Sequence, residues 1–277
     1  MDVLPLSVEQ RATPEHYRLA LAMRLGVRLP EVEVAIAAGR ARDCPCGSVH
    51  DVYGRHPSVC RRGNRAGLWT TRHDALQWAI LAVARMVGRA AHAVGRRNWF
   101  SAAALAAAGR DFDHGLYADI ALPHYRAPAR HLYVDVAITA PEAGGALAHS
   151  PSSRDRGGVA AEMRVQKKHR KYKPAVDAMG GVFRAGVMER FGACSDDLVG
   201  LVKGLCGDGD RDPASEDWGC TAPTRLRYHM QRVVFAGVMA DAAMVDMALS
   251  MDVHCTAPEA LRRDGARGRF GRAAGAA

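Results

Sequence analysis

Asp119 and Asp135 are the two residues of this chain whose placement most needs a chemical reason. They lie in two runs, LYADIALP (116–123) and HLYVDVAIT (131–139), with a loop holding Pro123 and Pro128 between them. Both runs alternate apolar and polar residues with period two, the pattern of an antiparallel hairpin. Closed symmetrically about Ala127, the hairpin pairs Leu116 with Ile138, Ala118 with Val136, Ile120 with Val134 and Leu122 with Leu132. Every apolar residue then meets an apolar one, and a slip of one residue loses the match. The same register sets Asp119 opposite Asp135, where like charges destabilise a sheet. A hard divalent cation such as Mg²⁺, held by a few carboxylates and water, would compensate that repulsion. The alternative is a solvated face on which the two acids tolerate each other.

Downstream of a Gly/Ser/Pro loop (141–158), VAAEMRVQKKHRKYKP reads as a helix over 159–173 ended by Pro174. Ala161, Val165, Lys168 and Tyr172 recur at i, i+4, i+7 and i+11, so Lys168 shares the stripe that packs on the sheet. Lysines are rarely turned inward. The bland reading is a snorkelling stem beside a solvated basic face of Lys167, Arg170 and Lys171. Two acids on adjacent strands followed by an inward lysine form a set suited to metal-dependent phosphodiester cleavage. The acids hold the metal, the metal activates water, and the cation meets charge developing on phosphate. Glu162 and Lys171 are accessory candidates one helix face away.

A second cluster is Cys44, Cys46, His56 and Cys60, spaced C-x-C-x9-H-x3-C, with Gly47 and Gly54 for the turns. Three thiolates and an imidazole make a closed tetrahedral set, which suits structural Zn²⁺. His50 is an alternative imidazole, and a metal-free cysteine loop is the alternative to the whole.

These residues need elements to position them. Residues 14–38 read as helical, interrupted near Gly26 and Pro30. Residues 68–95 form the strongest helix by pattern, with Leu76, Ile80, Val83 and Val87 on one stripe and His73 and Asp74 in the first turn. Asp74 adds a favourable charge at the helix N-terminus. Residues 98–110 are alanine-rich and favour a helix, 180–188 read as a strand, and 195–206 as a helix capped at Ser195. The acidic stretch 207–219 reads as a solvated loop, its Asp208, Asp210 and Asp212 lacking the glycine and glutamate of a calcium loop. Residues 224–251 form a long helix whose Val234, Val238, Met244, Met247 and Met251 are expected in the core.

Composition adds a polyanionic partner as an expectation: the net charge is +9 and the isoelectric point about 9.5, though a basic balance alone is a weak sign. No run approaches 18 apolar residues, so no membrane span is expected, and the N-terminus has no secretory pattern. Seven cysteines, an odd number unevenly spread, argue against a secreted disulfide framework. The arginine-bearing tail (258–277) is expected to be disordered and to add nonspecific phosphate contacts.

In the order CPCG with HPSVC, RHDAL, YADIALP, VDVAIT, AAEMRVQKKHRKY and QRVVFAGVMADAAMVDMAL, residues 15–252 resemble a region of retrotransposon reverse transcriptases. In non-LTR and related elements, that region lies downstream of the polymerase domain. It carries a CCHC zinc knuckle and a restriction-like endonuclease of the PD-(D/E)xK superfamily. The resemblance implies an α/β fold, a restriction-endonuclease-like small mixed sheet flanked by helices. It divides the chain into an N-terminal helical segment (1–40), the knuckle (41–66), the endonuclease core (67–192), a C-terminal helical extension (193–257) and the tail. It implies catalytic roles for Asp119, Asp135, Lys168, Glu162 and His73, Mg²⁺ or Mn²⁺ at Asp119 and Asp135, and Zn²⁺ at the knuckle with His56 as the imidazole. DNA is the implied substrate, nicked in the nucleus, with element RNA and a reverse transcriptase acting in trans as further candidate partners. Two departures stand out. Ala118 replaces the motif's proline and Ala137 its lysine, a displacement of the lysine to the following helix that this branch is known for. The acid many relatives carry near residues 98–110 is absent. A decayed nuclease that only binds nucleic acid, and a zinc domain serving protein contacts, are the readings from other classes.

Overall fold

The computed structural model describes residues 12–37, 44, 46–48, 50–60, 66–94, 100–110, 116–125, 130–141, 157–207 and 224–254. The expectations for Pro128, the acidic loop beyond Gly207 and the tail lie outside these residues.

Period-two runs build the sheet. β2 (Ile120–Leu122) and β3 (Leu132–Thr139) pair antiparallel with Ile120 opposite Val134 and Leu122 opposite Leu132, as the apolar match requires. β1 (His92–Ala93) pairs antiparallel with β2, and β4 (Val182–Glu189) runs parallel to β3 over its whole length, giving a four-stranded mixed sheet in the order β1-β2-β3-β4. A parallel neighbour needs a crossover, and the helix over Val159–Ala178 supplies it.

Upstream of Ile120 the expected hairpin fails. Leu116 and Ala118 join the buried cluster containing Ala121 and Tyr133, whereas Val136 and Ile138 belong to the cluster on the opposite face. The cause is Asp119. Its N–H donates to the Val134 carbonyl (2.8 Å), its own carbonyl accepts from Val94 N–H (2.9 Å), and its carboxylate takes the Val136 N–H (2.6 Å). A side chain stands where strand backbone would continue, so the alternation breaks there.

The helices are α1 (Pro14–Leu25), α2 (Pro30–Ala37), α3 (Arg55–Val59), α4 (Ala66–Met86), α5 (Ala102–Ala107), α6 (Val159–Ala178), α7 (Asp196–Cys206) and α8 (Arg225–His254). The helix expected over 68–95 stops at Met86, and its last residues become β1; Gly88, at φ 72°, turns the chain. α5 forms where alanines favour it, capped by Ser101. α6 does not end at Pro174 but carries it internally to Ala178. A mid-helix proline costs about 3 kcal/mol. Beyond it Ala175 and Val176 are fully buried, and burying one valine contributes roughly 1.5–3 kcal/mol, so packing offsets a cost of the same size. α7 starts at Ser195, whose hydroxyl accepts from Leu198 N–H (3.2 Å).

One core lies between the sheet and α1, α2, α4, α7 and α8, containing Leu19, Val32, Ile80, Val134, Leu198 and Val245. The segments read as an N-terminal piece and a C-terminal extension thus share a core with the sheet. The other core lies under α5 and α6, containing Leu105, Tyr133, Val165 and Phe183. In α8, Val238 and Met244 are buried and Val234 partly so, but Met247 is exposed, against expectation; the Met251 side chain is outside the described set. Gly186 lets α4 approach, since a Cβ there would meet Ile80 Cδ1 at 3.2 Å and Val136 Cγ1 at 3.1 Å.

Candidate functional site

The alternation that sends Val134 and Val136 into the first core turns Asp135 toward α6. Lys168 comes down from α6 onto it. The lysine is 7 % exposed, its ammonium paired with Asp135 Oδ2 and donating to the Val136 carbonyl (3.0 Å). Tyr172, one turn further along the same stripe, lies within hydrogen-bonding distance of both Asp135 Oδ1 and the Tyr117 carbonyl (3.0 Å each), and its oxygen accepts from Lys171 Nζ (3.0 Å). Burial, with the charge of Asp119, holds the Asp135 carboxyl above its ordinary range against the pull of Lys168. Burial and the charge of Asp135 also push the Tyr172 phenol up, so it acts as a neutral donor.

Asp119 is held from the other side. His73 Nε2 lies 3.1 Å from Asp119 Oδ2, and Gln77, one turn along α4, donates to the Asp119 carbonyl at 2.6 Å. Burial works against the Asp119 anion, but the hydrogen bond and charge of His73, the Val136 N–H and Lys168 together lower its pKa. For His73, burial favours the neutral ring, while Asp119 and then Asp74 outweigh it and raise the pKa. Asp74 therefore orients His73, 3.1 Å from its Nδ1. The sheet and two helices thus bring Asp119, Asp135, Lys168 and His73 together.

Glu162 does not join them. Its carboxylate accepts the Asp196 N–H at 2.7 Å, capping α7. Six residues from Lys168 on a helix of 3.6-residue period, it faces elsewhere. Pattern reading also missed Tyr172 as more than core and passed over Gln77 and Arg72. Arg72 lies one turn before Leu76 on the apolar stripe of α4, the same signal that singled out Lys168.

Between α6 and the start of α4 runs an open groove of about 820 Å³. Asp135, Lys168 and Tyr172 line one part, Trp69 and Val59 another, and Arg164, Lys167, Arg170 and Lys171 give it a basic wall. Burial lowers the Lys171 pKa, with nearby cations adding to the effect.

The second cluster forms where the spacing placed it. Ligand atoms of Cys44, Cys46, His56 and Cys60 all lie within 4.8 Å of one another, Cys44 Sγ 3.4 Å from Cys60 Sγ and Cys46 Sγ 3.3 Å from His56 Nε2. Tetrahedral bonds of about 2.3 Å to sulfur set ligand atoms roughly 3.5–4 Å apart, so the set fits Zn²⁺. Hydrogen bonding from Ser48 outweighs burial and, with the neighbouring thiols, brings the Cys46 pKa down to about 6. His50 stays outside the cluster, packed edge-on to His56 at 5.5 Å. Asp51 builds the frame, accepting the N–H groups of Tyr53, Arg55 and His56 at the start of α3. Gly54 takes a left-handed conformation, φ 67°, and a Cβ there would crowd Leu29 Cδ1 at 3.0 Å and Val245 Cγ1 at 3.2 Å. Trp69 Nε1 ties the cluster to α4 through the Cys60 carbonyl (2.9 Å). Metal analysis of the purified chain is expected to find one zinc. Cys44→Ser with Cys60→Ser should remove it and lower the melting temperature by more than about 5 °C; unchanged melting would show that the cluster works without metal.

The chain matches no protein-family model and no curated protein. Among the described residues no helix is long and apolar enough to cross a membrane.

Proposed function

We propose that this chain is a metal-dependent DNA endonuclease of retrotransposon origin, with a restriction-like core and a structural zinc knuckle, that nicks target DNA. The observation that carries the reading is the pair of Asp135 and a buried Lys168 on a basic groove, with Asp119 near enough for its charge to act on Asp135. Asp119 and Asp135 would hold Mg²⁺ or Mn²⁺; when bound, such an ion supplies Lewis-acid activation of water and of the phosphate. The residues offer the oxygen donors a hard cation takes, Asp135 on β3 and Asp119 one residue before β2. Lys168 brings a fixed positive charge to the phosphate that gains charge in the transition state. Tyr172 fixes the orientation of Asp135, and His73 that of Asp119. The basic wall of α6 takes flanking phosphates. DNA in the nucleus, element RNA and a reverse transcriptase in trans complete the proposal as partners.

Conversion of supercoiled plasmid to nicked circles by the purified chain with Mg²⁺ tests it. Nicking that appears with Mg²⁺ and stops on its removal is the expected result; oligonucleotide binding without nicking would leave a decayed, nucleic-acid-binding module. That second reading draws on α5, a helix where the superfamily places an acid-bearing strand, and on the two-residue length of β1.

A further inference from the structure

Arg72, Asp241 and Arg190 form a buried trio. Asp241 Oδ1 is 2.5 Å from Arg72 Nη1 and its Oδ2 is 3.0 Å from Arg190 Nε, all three being nearly inaccessible to solvent. One carboxylate thus anchors two guanidinium groups and fixes the place of each. Arg190 turns inward, its Nη2 toward Met23 Sδ. Arg72 is the member that lines the groove. At 2 % exposure it spends Nη1 on Asp241 and on the Ser58 carbonyl (3.4 Å), and one guanidinium face on the Trp69 ring (4.3 Å). Its Nε and Nη2 have no acceptor among the described residues. A guanidinium held rigid by a carboxylate, a carbonyl and an aromatic face, with the N–H groups of two nitrogens left over, is preorganised for an oxyanion.

We propose that Arg72 forms an anion seat in the groove, taking a non-bridging oxygen of a phosphate other than the one at Asp135. The inference rests on the nucleic-acid reading above and adds to it a second phosphate position, beside the zinc knuckle. The seat positions the strand; it does not touch the reacting atoms.

The full, zinc-loaded chain without added Mg²⁺ is the test material. Inorganic phosphate, exchanged for chloride at constant ionic strength, is expected to change tryptophan emission saturably, and Trp69→Phe to lose that change. Arg72→Lys keeps the charge beside Asp241 but loses the planar fork. It should weaken binding of a labelled oligonucleotide about tenfold, the scale of one charge-assisted contact, with cooperative unfolding retained. Phosphate without effect on the wild-type emission, or a folded Arg72→Lys chain that binds the oligonucleotide as wild type does, overturns the seat. If Arg72→Lys fails to fold, the wild-type titration decides alone. Plasmid nicking is scored on the same preparation after Mg²⁺ is added. Anion binding without nicking keeps the seat and removes the nuclease, and nicking without anion binding does the reverse.

Discussion

Asp135→Asn and Asp119→Asn are each expected to reduce Mg²⁺-dependent nicking by more than about 10³-fold, with oligonucleotide binding unchanged or tighter. Asparagine is the informative replacement. Asp119 also accepts the Val136 N–H and meets His73, and Asp135 meets Lys168 and Tyr172, so alanine would remove structural contacts along with charge. An amide keeps one acceptor oxygen in each place while lowering affinity for a hard cation. Binding holds or improves because a negative charge near the phosphate path has gone. Parallel loss of nicking and binding would mean that the two acids hold the sheet together and do nothing else. Asp119→Asn is also expected to release His73, so its pKa should fall toward the ordinary imidazole value, as burial already favours the neutral ring; titration by NMR reads that directly.

Lys168→Met should lower the nicking rate by on the order of 10²-fold or more, the scale of one preorganised electrostatic contact. The structure adds a stability effect. Removing the ammonium leaves the Asp135 carboxylate buried with the Tyr172 hydroxyl as its remaining side-chain partner, and uncompensating a buried pair costs about 3–5 kcal/mol. Asp135→Asn in the Lys168→Met background should return much of that stability, since the pair then vanishes together, without restoring nicking. Chemical denaturation of the single and double variants separates the two effects. Lys167→Met, at an exposed position on the groove wall, should instead weaken oligonucleotide binding and reduce its salt dependence by about one charge. Exchange of the two phenotypes would show that the buried lysine serves packing alone.

Elements whose periodicity was strong could be read from the chain. β3, β4, the capped α7 and the inward phase of Lys168 follow from alternation or from a 3.6-residue stripe, because each residue's face is set by local geometry. The ligand spacing of Cys44, Cys46, His56 and Cys60 likewise specified a cluster within one short loop. Reading failed where distant groups decided the outcome. Pro174 marks a helix end by local rules, yet the burial of Ala175 and Val176 carries the helix past it. Alternation pairs Asp119 across a continuous ladder, but its carboxylate captures the Val136 N–H, and the strand begins one residue later.

The helical stripe of α6 was enough to turn Lys168 inward, and the stripe of α4 carries the same signal for Arg72; alternation put Asp135 on the face opposite Val134 and Val136 without saying whether that face is covered. Only the tertiary structure decided their partners. It put His73 on Asp119, sent Glu162 to α7 and joined Arg72 to Asp241, 169 residues away in the chain. Helix and strand periods fix a direction for each side chain about its own axis. The distance between two such axes depends on how whole faces pack, and no local pattern encodes it.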